Sequence, residues 1–397
     1  MSIPLRPFAR LASITLLASL FGCGGGGSST ETSSGIAAAP ATSLSAAARL
    51  GKLIFSDTSL SEPAGMSCET CHQPDKGHAT NDLVQAGVVS GHVGFRNSPS
   101  LRYLKFSPDF GYTSDGPTGG FFRDGRATNF TAQAQEPFVN PDEMANADAA
   151  SVVAKLAVAP YASQFKAVWG SDVFSNVQNA YDKLALSLAA YQREDAGFAP
   201  FTSKFDFWRS GKVKLSDREA QGLALFNDPQ KGNCAACHPS SGPNASTPPL
   251  FTDFTFDKLG LPRNSQIAAN SDPTFHDLGL CGPKRTDISD QTLCGAFKVP
   301  TLRNIALTAP YFHNGVIGSL RDAVRFYVTR DTNPELWYPT SDAEVQKFDD
   351  LPSRYQGNVN VTEVPYNRHP GDAPALSDAE IDLVVEFLNT LTDGYQP

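Results

Sequence analysis

The chain of 397 residues has few methionines, few cysteines and no cluster of basic residues. One of its three methionines is the initiator, and none follows Met144. Seven cysteines are too few for a small scaffold that is held together by disulfides. A formal net charge of −9 without a Lys/Arg cluster argues against a protein that binds nucleic acid.

Long apolar runs are also scarce, because only one occurs and it lies at the N-terminus. A membrane bundle would need several runs of about 20 apolar residues each, so the sequence excludes that class. Disorder is excluded as well, since 41% of the residues are apolar and 26 are phenylalanine. The length is typical of two globular domains, each with enough residues for its own core.

The one apolar run has the features of a secretory signal peptide, which is predicted over residues 1–23. Two arginines precede an apolar stretch, 11–21, that is too short to span a bilayer comfortably. A small residue followed by Cys23 resembles the processing site of a bacterial lipoprotein, although Phe21 is unusual there. The chain is therefore expected in the periplasm, anchored to the outer membrane where Cys23 carries lipid. The alternative is ordinary cleavage that leaves Cys23 without a role.

The rest of the chain begins with a flexible linker and then repeats itself. Residues 24–40 are rich in Gly, Ser, Thr and Ala, which predicts the linker. Residues 44–57 then resemble residues 215–228, and both stretches have a serine suited to cap a helix before apolar residues at helical spacing. The repeat predicts two related domains, 41–205 and 206–397.

A C-x-x-C-H motif follows each copy of the repeat. Cys68, Cys71 and His72 form the first motif, and Cys234, Cys237 and His238 form the second. The pattern is typical of c-type haem attachment, because two thiols one helical turn apart add to the haem vinyl groups and the adjacent histidine binds the iron. Zinc would need further clustered Cys or His, and a thioredoxin-like dithiol would not need the histidines. The motifs therefore predict two covalently bound haem c groups.

Cys281 and Cys294 lie thirteen positions apart in a Gly-rich region. A disulfide between them is expected for an exported chain, because the compartment is oxidising. The alternative is two unpaired buried thiols.

The lack of methionine after Met144 limits the sixth ligand of the second haem iron. Electron-transfer cytochromes usually have Met or His in this position, and the second domain contains no Met. The remaining candidates are His276, His313, His369 and several tyrosines. Tyr327 is one of them, on the apolar face of a helix predicted to begin at Ser319. The pattern alone leaves open whether Tyr327 binds iron or packs in the core.

Several motifs in a fixed order make the sequence similar to one family. They are LGKLIFSD, MSCETCH, FRNSPSL, DGRA, NPDEM, GNCAACH, VPTLRNIALTAPYFHNG and SLRDAVRFY, all between Leu50 and Tyr327, and the resemblance as a whole runs from about Leu50 to Leu391. Together they resemble the bacterial di-haem cytochrome c peroxidase/MauG superfamily. The resemblance implies a mainly α fold of two cytochrome c-like helical domains, each enclosing one covalently bound c-type haem. A last helix is predicted from Asp378 to Leu391.

In this family one haem reacts with peroxide and the other stores or relays electrons. The resemblance implies that the first haem, bound by His72, is the peroxide site. It implies Glu143 as the proton shuttle and Gln133 as the residue that positions peroxide or water. It also implies that Tyr327 binds the second iron, as in the MauG-like branch. A phenolate ligand would lower the potential and favour oxidised states, including ferryl.

Some peroxidases of the family close the first iron with a histidine from a loop. Val88 stands at the aligned position here, so an open or water-bound iron is expected. His92 and His78 lie nearby and are the alternatives.

The resemblance further implies a calcium ion between the haem units. Its protein ligands would be the Asn97 side chain and the carbonyl groups of Thr308 and Pro310. One departure concerns electron transfer, because many members have a tryptophan between the haems where this chain has Arg123. Direct tunnelling or a route through Phe122 is the alternative.

Three functions follow from these expectations. The leading one is a periplasmic peroxidase that reduces hydrogen peroxide to water through high-valent haem, with electrons from a small cytochrome c or cupredoxin. The second is a MauG-like oxidase that modifies a protein side chain, which Tyr327 favours and the missing tryptophan weakens. The third is a non-catalytic electron carrier, which would not need Gln133 and Glu143. A monomer and a homodimer are both compatible with the sequence.

Overall fold

The computed structural model describes residues 43–242, 244 and 246–397. The predicted signal peptide, the lipid-attachment site at Cys23 and the linker predicted over 24–40 lie outside the described residues. Residues 44–397 form one compact unit. Helices are the main regular structure of this unit, which confirms the predicted mainly α fold.

Helices and short strands alternate with long loops along the described residues. The helices are α1 (Ala46–Phe55), α2 (Cys68–Cys71), α3 (Phe130–Val139), α4 (Ala149–Val158), α5 (Ala162–Trp169), α6 (Val177–Glu194), α7 (Lys204–Arg209), α8 (Asp217–Asn227), α9 (Leu320–Thr329), α10 (Ser353–Gln356) and α11 (Asp378–Asn389). The strands are β1 (Gly111–Thr113), β2 (Gly116–Thr118), β3 (Phe256–Asp257), β4 (Phe297–Lys298), β5 (Thr340–Ser341) and β6 (Glu344–Val345). They form three antiparallel pairs, β1–β2, β3–β4 and β5–β6. None of the described helices is long and apolar enough to cross a membrane.

The two copies of the repeat form equivalent helices, α1 and α8. Ser45 caps α1, since its Oγ accepts a hydrogen bond from the Ala48 N–H at 3.1 Å. Ser216 caps α8 in a capping box with Glu219. Both caps satisfy backbone N–H groups that the start of a helix leaves without an internal partner.

A glycine in each of these helices allows close contact with a second helix. A Cβ on Gly51 in α1 would overlap the Ser187 carbonyl group of α6. A Cβ on Gly222 in α8 would overlap the Leu383 carbonyl group of α11 in the same way. The two helix pairs, α1–α6 and α8–α11, therefore repeat the same backbone-to-backbone contact.

Buried apolar side chains form separate clusters in the two halves of the sequence. Two clusters are built from residues 50–198 and two from residues 205–391. Burial of each large apolar side chain contributes roughly 1.5–3 kcal/mol, so each half has a substantial core. The division into domains 41–205 and 206–397 stays a prediction, because the described chain forms one compact unit.

Helices α9 and α11 begin where the sequence predicts. Ser319 and Ser377 cap them by accepting backbone hydrogen bonds in the first turn. Helix α11 ends at Asn389 instead of the predicted Leu391. The reason is a tighter last turn, in which the Leu391 N–H donates to the Leu388 carbonyl.

Candidate functional site

The first C-x-x-C-H motif folds into α2 and the residue that follows it. Cys68, Cys71 and His72 all line one cavity of about 50 Å³. The Nδ1 of His72 lies 3.1 Å from the His78 carbonyl oxygen. Because a carbonyl can only accept, Nδ1 carries the proton and Nε2 keeps the lone pair that an iron ligand needs. Burial lowers the pKa of His72 to about 4, which keeps the ring neutral.

The second motif repeats this arrangement. Cys234, Cys237 and His238 line a larger cavity of about 280 Å³. The Nδ1 of His238 donates to the Phe251 carbonyl at 2.8 Å. Burial lowers the pKa of His238 as well, which keeps this ring neutral.

The two carbonyl acceptors share an unusual backbone conformation that the sequence did not reveal. His78 and Phe251 both have a φ of 54°, in the left-handed region that costs a side-chain-bearing residue roughly 1–2 kcal/mol. No glycine or asparagine marks either position, so no sequence signal pointed to them. The conformation aims each carbonyl at the histidine of its motif.

The two residues predicted for proton transfer meet in the first cavity. Gln133 on α3 and Glu143 in the following loop both line it, beside Cys68, Cys71 and His72. The Oε1 of Gln133 is buried and has no hydrogen-bond partner. An acceptor in this state is ready for an O–H group of a bound molecule.

Glu143 is held by its own loop and has a raised pKa. Asn140 Nδ2 donates to its Oε1 at 2.6 Å. Burial raises the pKa of Glu143, while this hydrogen bond and the positive charges of Arg126 and Lys284 oppose the shift. A carboxyl group with a raised pKa exchanges protons closer to neutral pH than an exposed one does.

Neither alternative histidine lines the first cavity. The carbonyl of His78 accepts from His72, and the His78 ring packs on Phe198 at a centroid distance of 4.2 Å. The side chain of His92 is 47% exposed and pairs with Asp142 at 3.4 Å. The structure therefore places neither of them as an iron ligand, and the expectation of an open iron stays a prediction.

Tyr327 on α9 lines the second cavity together with His238. Among the described residues its hydroxyl group has no hydrogen-bond partner. Burial raises the pKa of Tyr327, with the nearby Asp257 adding to the shift, so the phenol keeps its proton until a cation displaces it. Its position beside His238 and its unpartnered hydroxyl group suit a metal ligand, and that role stays a prediction.

A second tyrosine in the same cavity escaped the sequence analysis. The ring centroids of Tyr366 and Tyr327 lie 6.3 Å apart. The Arg330 guanidinium lies over the Tyr366 ring, 4.3 Å from its centroid. Burial raises the pKa of Tyr366 as well. Tyr366 stands in a loop with no periodic pattern, so its position depends on tertiary structure alone.

The histidines considered for the second iron lie in different places. His369 is 86% exposed in its side chain, and His276 Nδ1 is bonded to the Asp350 carbonyl at 3.0 Å. His313 does line the cavity, with its ring stacked on Phe297 at 3.6 Å and its Nε2 3.4 Å from Asp350.

The residues expected to bind calcium lie along the same cavity, but their arrangement does not fit the ion. Asn97, Thr308 and Pro310 all line it. The Asn97 Oδ1, the only side-chain oxygen of the set, accepts a hydrogen bond from Arg123 Nη2 at 2.7 Å. A guanidinium at this distance places a positive charge beside the position that calcium would take.

Cys281 and Cys294 form a disulfide in the structure. The alternative of two unpaired thiols is therefore wrong. The other four described cysteines, those of the two C-x-x-C-H motifs, are free.

Comparisons with known proteins agree with these features. A family model for di-haem cytochrome c peroxidase matches residues 45–214. The methylamine utilization protein MauG of Paracoccus denitrificans is 35% identical over 371 residues, which cover 89% of this chain and 90% of the relative. The cytochrome c551 peroxidase of Nitrosomonas europaea is 30% identical over 294 residues, which cover 72% of this chain and 75% of the relative.

Structural comparison gives the same result. The crystal structure of the diheme peroxidase BthA from Burkholderia thailandensis matches with a TM-score of 0.82 and 39% sequence identity, covering 88% of this chain and 86% of that chain. The MauG and BthA matches cover 89% and 88% of this chain, and the family implies two haem c groups. The chain therefore belongs to the di-haem cytochrome c peroxidase/MauG family.

Proposed function

We propose that this protein reduces hydrogen peroxide to water at the haem attached through Cys68 and Cys71. The reaction consumes one H₂O₂, two protons and two electrons and yields two water molecules. The observation that carries the proposal is the presence of Gln133 and Glu143 in the cavity of the first motif. When bound, the haem supplies the redox-active iron, and the chain supplies positioning and proton transfer.

Each residue of the first cavity has a distinct part in this proposal. His72 would hold the iron through Nε2, since Nδ1 is bonded to the His78 carbonyl. Gln133 uses its unpartnered Oε1 to accept a hydrogen bond from the substrate and so orients it. Glu143 takes a proton from one peroxide oxygen and returns it to the other, which then leaves as water.

The second haem and Tyr327 provide electrons in this proposal. Tyr327 would hold the second iron, and a tyrosine ligand would favour its oxidised state, which would suit this haem to store and relay redox equivalents. We propose a small cytochrome c or cupredoxin as the donor, in the periplasm, with the chain anchored through a lipid on Cys23. The signal-like N-terminus and the export that haem c attachment requires support this location.

A MauG-like reaction is the second candidate, since Tyr327 lines the second cavity and the Paracoccus denitrificans MauG is 35% identical. Such an enzyme would pass the oxidising equivalents to a protein side chain instead of to a soluble donor. A non-catalytic electron carrier has less support, because nothing in electron transfer requires Gln133 and Glu143 in the first cavity.

Steady-state peroxide consumption by the holoprotein tests the proposal. We expect peroxide to disappear at a rate that depends on the concentration of a reduced small cytochrome c, with two cytochromes oxidised per H₂O₂. Consumption that stays negligible with reduced cytochromes and cupredoxins alike would contradict the peroxidase. Peroxide-dependent oxidation of a protein partner under the same conditions would favour the MauG-like reaction.

A further inference from the structure

Arg123 makes a two-point contact with a single residue. Its Nε donates to the Asn97 carbonyl oxygen at 2.8 Å and its Nη2 donates to Asn97 Oδ1 at 2.7 Å. The Asn97 Nδ2 in turn donates to the Asp82 carbonyl at 3.1 Å, so the amide cannot turn to present its oxygen elsewhere without losing both contacts. Asn97 itself is only 2% exposed.

Arg123 makes no ion pair of its own within the described chain, although the nearby Asp277 carboxylate partly offsets its charge. Asp124, the next residue, pairs with Arg96 at 2.6 Å and Arg126 at 3.1 Å. Asp277 is likewise bonded to Arg96, and within the described chain Arg123 has no ion pair. Burial and the nearby Arg96 lower the pKa of Arg123 to about 10, so the guanidinium stays protonated at neutral pH.

A calcium ion at Asn97 would therefore meet two obstacles. Oxygen ligands at 2.3–2.6 Å from the ion are what Ca²⁺ requires, and Oδ1 already faces a cation. The described residues also contain no cluster of three or more His, Cys, Asp or Glu that could hold a metal and offset this charge. Two positive centres that share one neutral oxygen repel each other strongly in a buried site.

Arg123 also connects the two halves of the sequence, which is the structural effect expected of the calcium ion. Its side chain binds Asn97, while its carbonyl accepts from the Lys298 N–H at 2.8 Å. The Asn97 N–H donates to the His313 carbonyl at 2.8 Å, next to the loop that carries Thr308 and Pro310. Arg123 thus fixes Asn97 and bonds to Lys298, while the Asn97 backbone itself makes the link to the loop of Thr308 and Pro310.

We propose that the guanidinium of Arg123 takes the structural place of calcium in this chain, so that Asn97, Thr308 and Pro310 bind no metal ion. The family's tryptophan at this position carries no charge and has a single N–H donor, so it could not do the same. Replacement of the family's tryptophan by Arg123 would therefore account for the loss of calcium as well.

Metal analysis of the purified holoprotein tests the inference independently of its activity. After dialysis we expect well below one calcium per chain, and we expect EDTA to leave the haem absorption and EPR spectra unchanged. One tightly held calcium per chain, whose removal alters those spectra, would overturn the proposal.

The variant Arg123→Ala tests whether Arg123 itself prevents calcium from binding at Asn97. In Arg123→Ala the Asn97 oxygens are free, so we expect calcium titration to show a new site that the wild type lacks. Arg126→Ala is the matched control, because Arg126 pairs with Asp124 and Glu136 and does not touch Asn97. If Arg123→Ala keeps both haem spectra but binds no more calcium than the control, Arg123 is not the replacement and the proposal is wrong.

Discussion

The most informative single residue is Glu143, because its proposed role depends on one proton. Glu143→Gln keeps the shape and the Asn140 contact but removes the base. We expect peroxide consumption to slow by roughly 10²-fold or more, the usual scale for a general acid–base group. Asp142→Asn is the neighbouring control, since Asp142 pairs with His92 and Lys284 and does not line the cavity.

The raised pKa of Glu143 also predicts a pH dependence. As the pH falls through this pKa, Glu143 becomes protonated and can no longer accept a proton, so the rate should fall. Burial shifts this loss toward neutral pH compared with an exposed carboxyl group. This fall of the rate at low pH, the acidic limb of the pH–rate profile, should be present in the wild type and in Asp142→Asn and absent in Glu143→Gln. An unchanged limb in Glu143→Gln would place the base elsewhere.

Tyr327 can be tested against its neighbour Tyr366, because both phenols line the second cavity. We expect Tyr327→Phe to abolish the six-coordinate spectrum of the second haem and to raise its potential, since a phenolate stabilises the oxidised iron. EPR and redox titration of the ferric holoprotein would show this. Tyr366→Phe should leave the ligand set intact, and the opposite pattern would assign the ligand to Tyr366.

At the scale of helices, the glycines of α1 and α8 are the most sensitive positions. Gly222→Ala would place a methyl group against the Leu383 carbonyl of α11. We expect the free energy of unfolding to fall by about 1–3 kcal/mol, the typical cost of overpacking, measured by denaturant titration of the holoprotein. Gly357→Ala is the control, because its Cβ would meet nothing within 4 Å. Equal stability of the two variants would contradict the close contact.

Local sequence signals predicted the elements well and the cavities only in part. The Ser-x-x-Glu spacing at Ser216 and Ser377 predicted two capping boxes that the structure contains. Such signals operate within one turn of a helix, so they can be read directly. The positions of Tyr366 and of the Phe251 carbonyl depend on contacts between distant segments and left no pattern. Gln133 and Glu143 were found only through the family resemblance, since neither residue stands out in composition or spacing.

For the whole molecule, the two haem cavities predict an unequal dependence on haem. The cavity in the second half, about 280 Å³, is larger than the cavity in the first, about 50 Å³, so more apolar surface in the second half is left to be covered by a haem. The second haem is therefore expected to act as part of the core around Phe226 and Phe387.

Variants that lose one haem at a time test this asymmetry. One triple variant lacks the second site and carries Cys234→Ser, Cys237→Ser and His238→Ala. The other lacks the first site and carries Cys68→Ser, Cys71→Ser and His72→Ala. A pyridine haemochrome assay should give two haems c per chain for the wild type and one for each variant. We expect the variant without the second haem to unfold at lower denaturant and to be cleaved faster by protease. Equal losses of stability in the two variants would contradict the unequal dependence, because the larger apolar cavity of the second half should then expose more surface than the first.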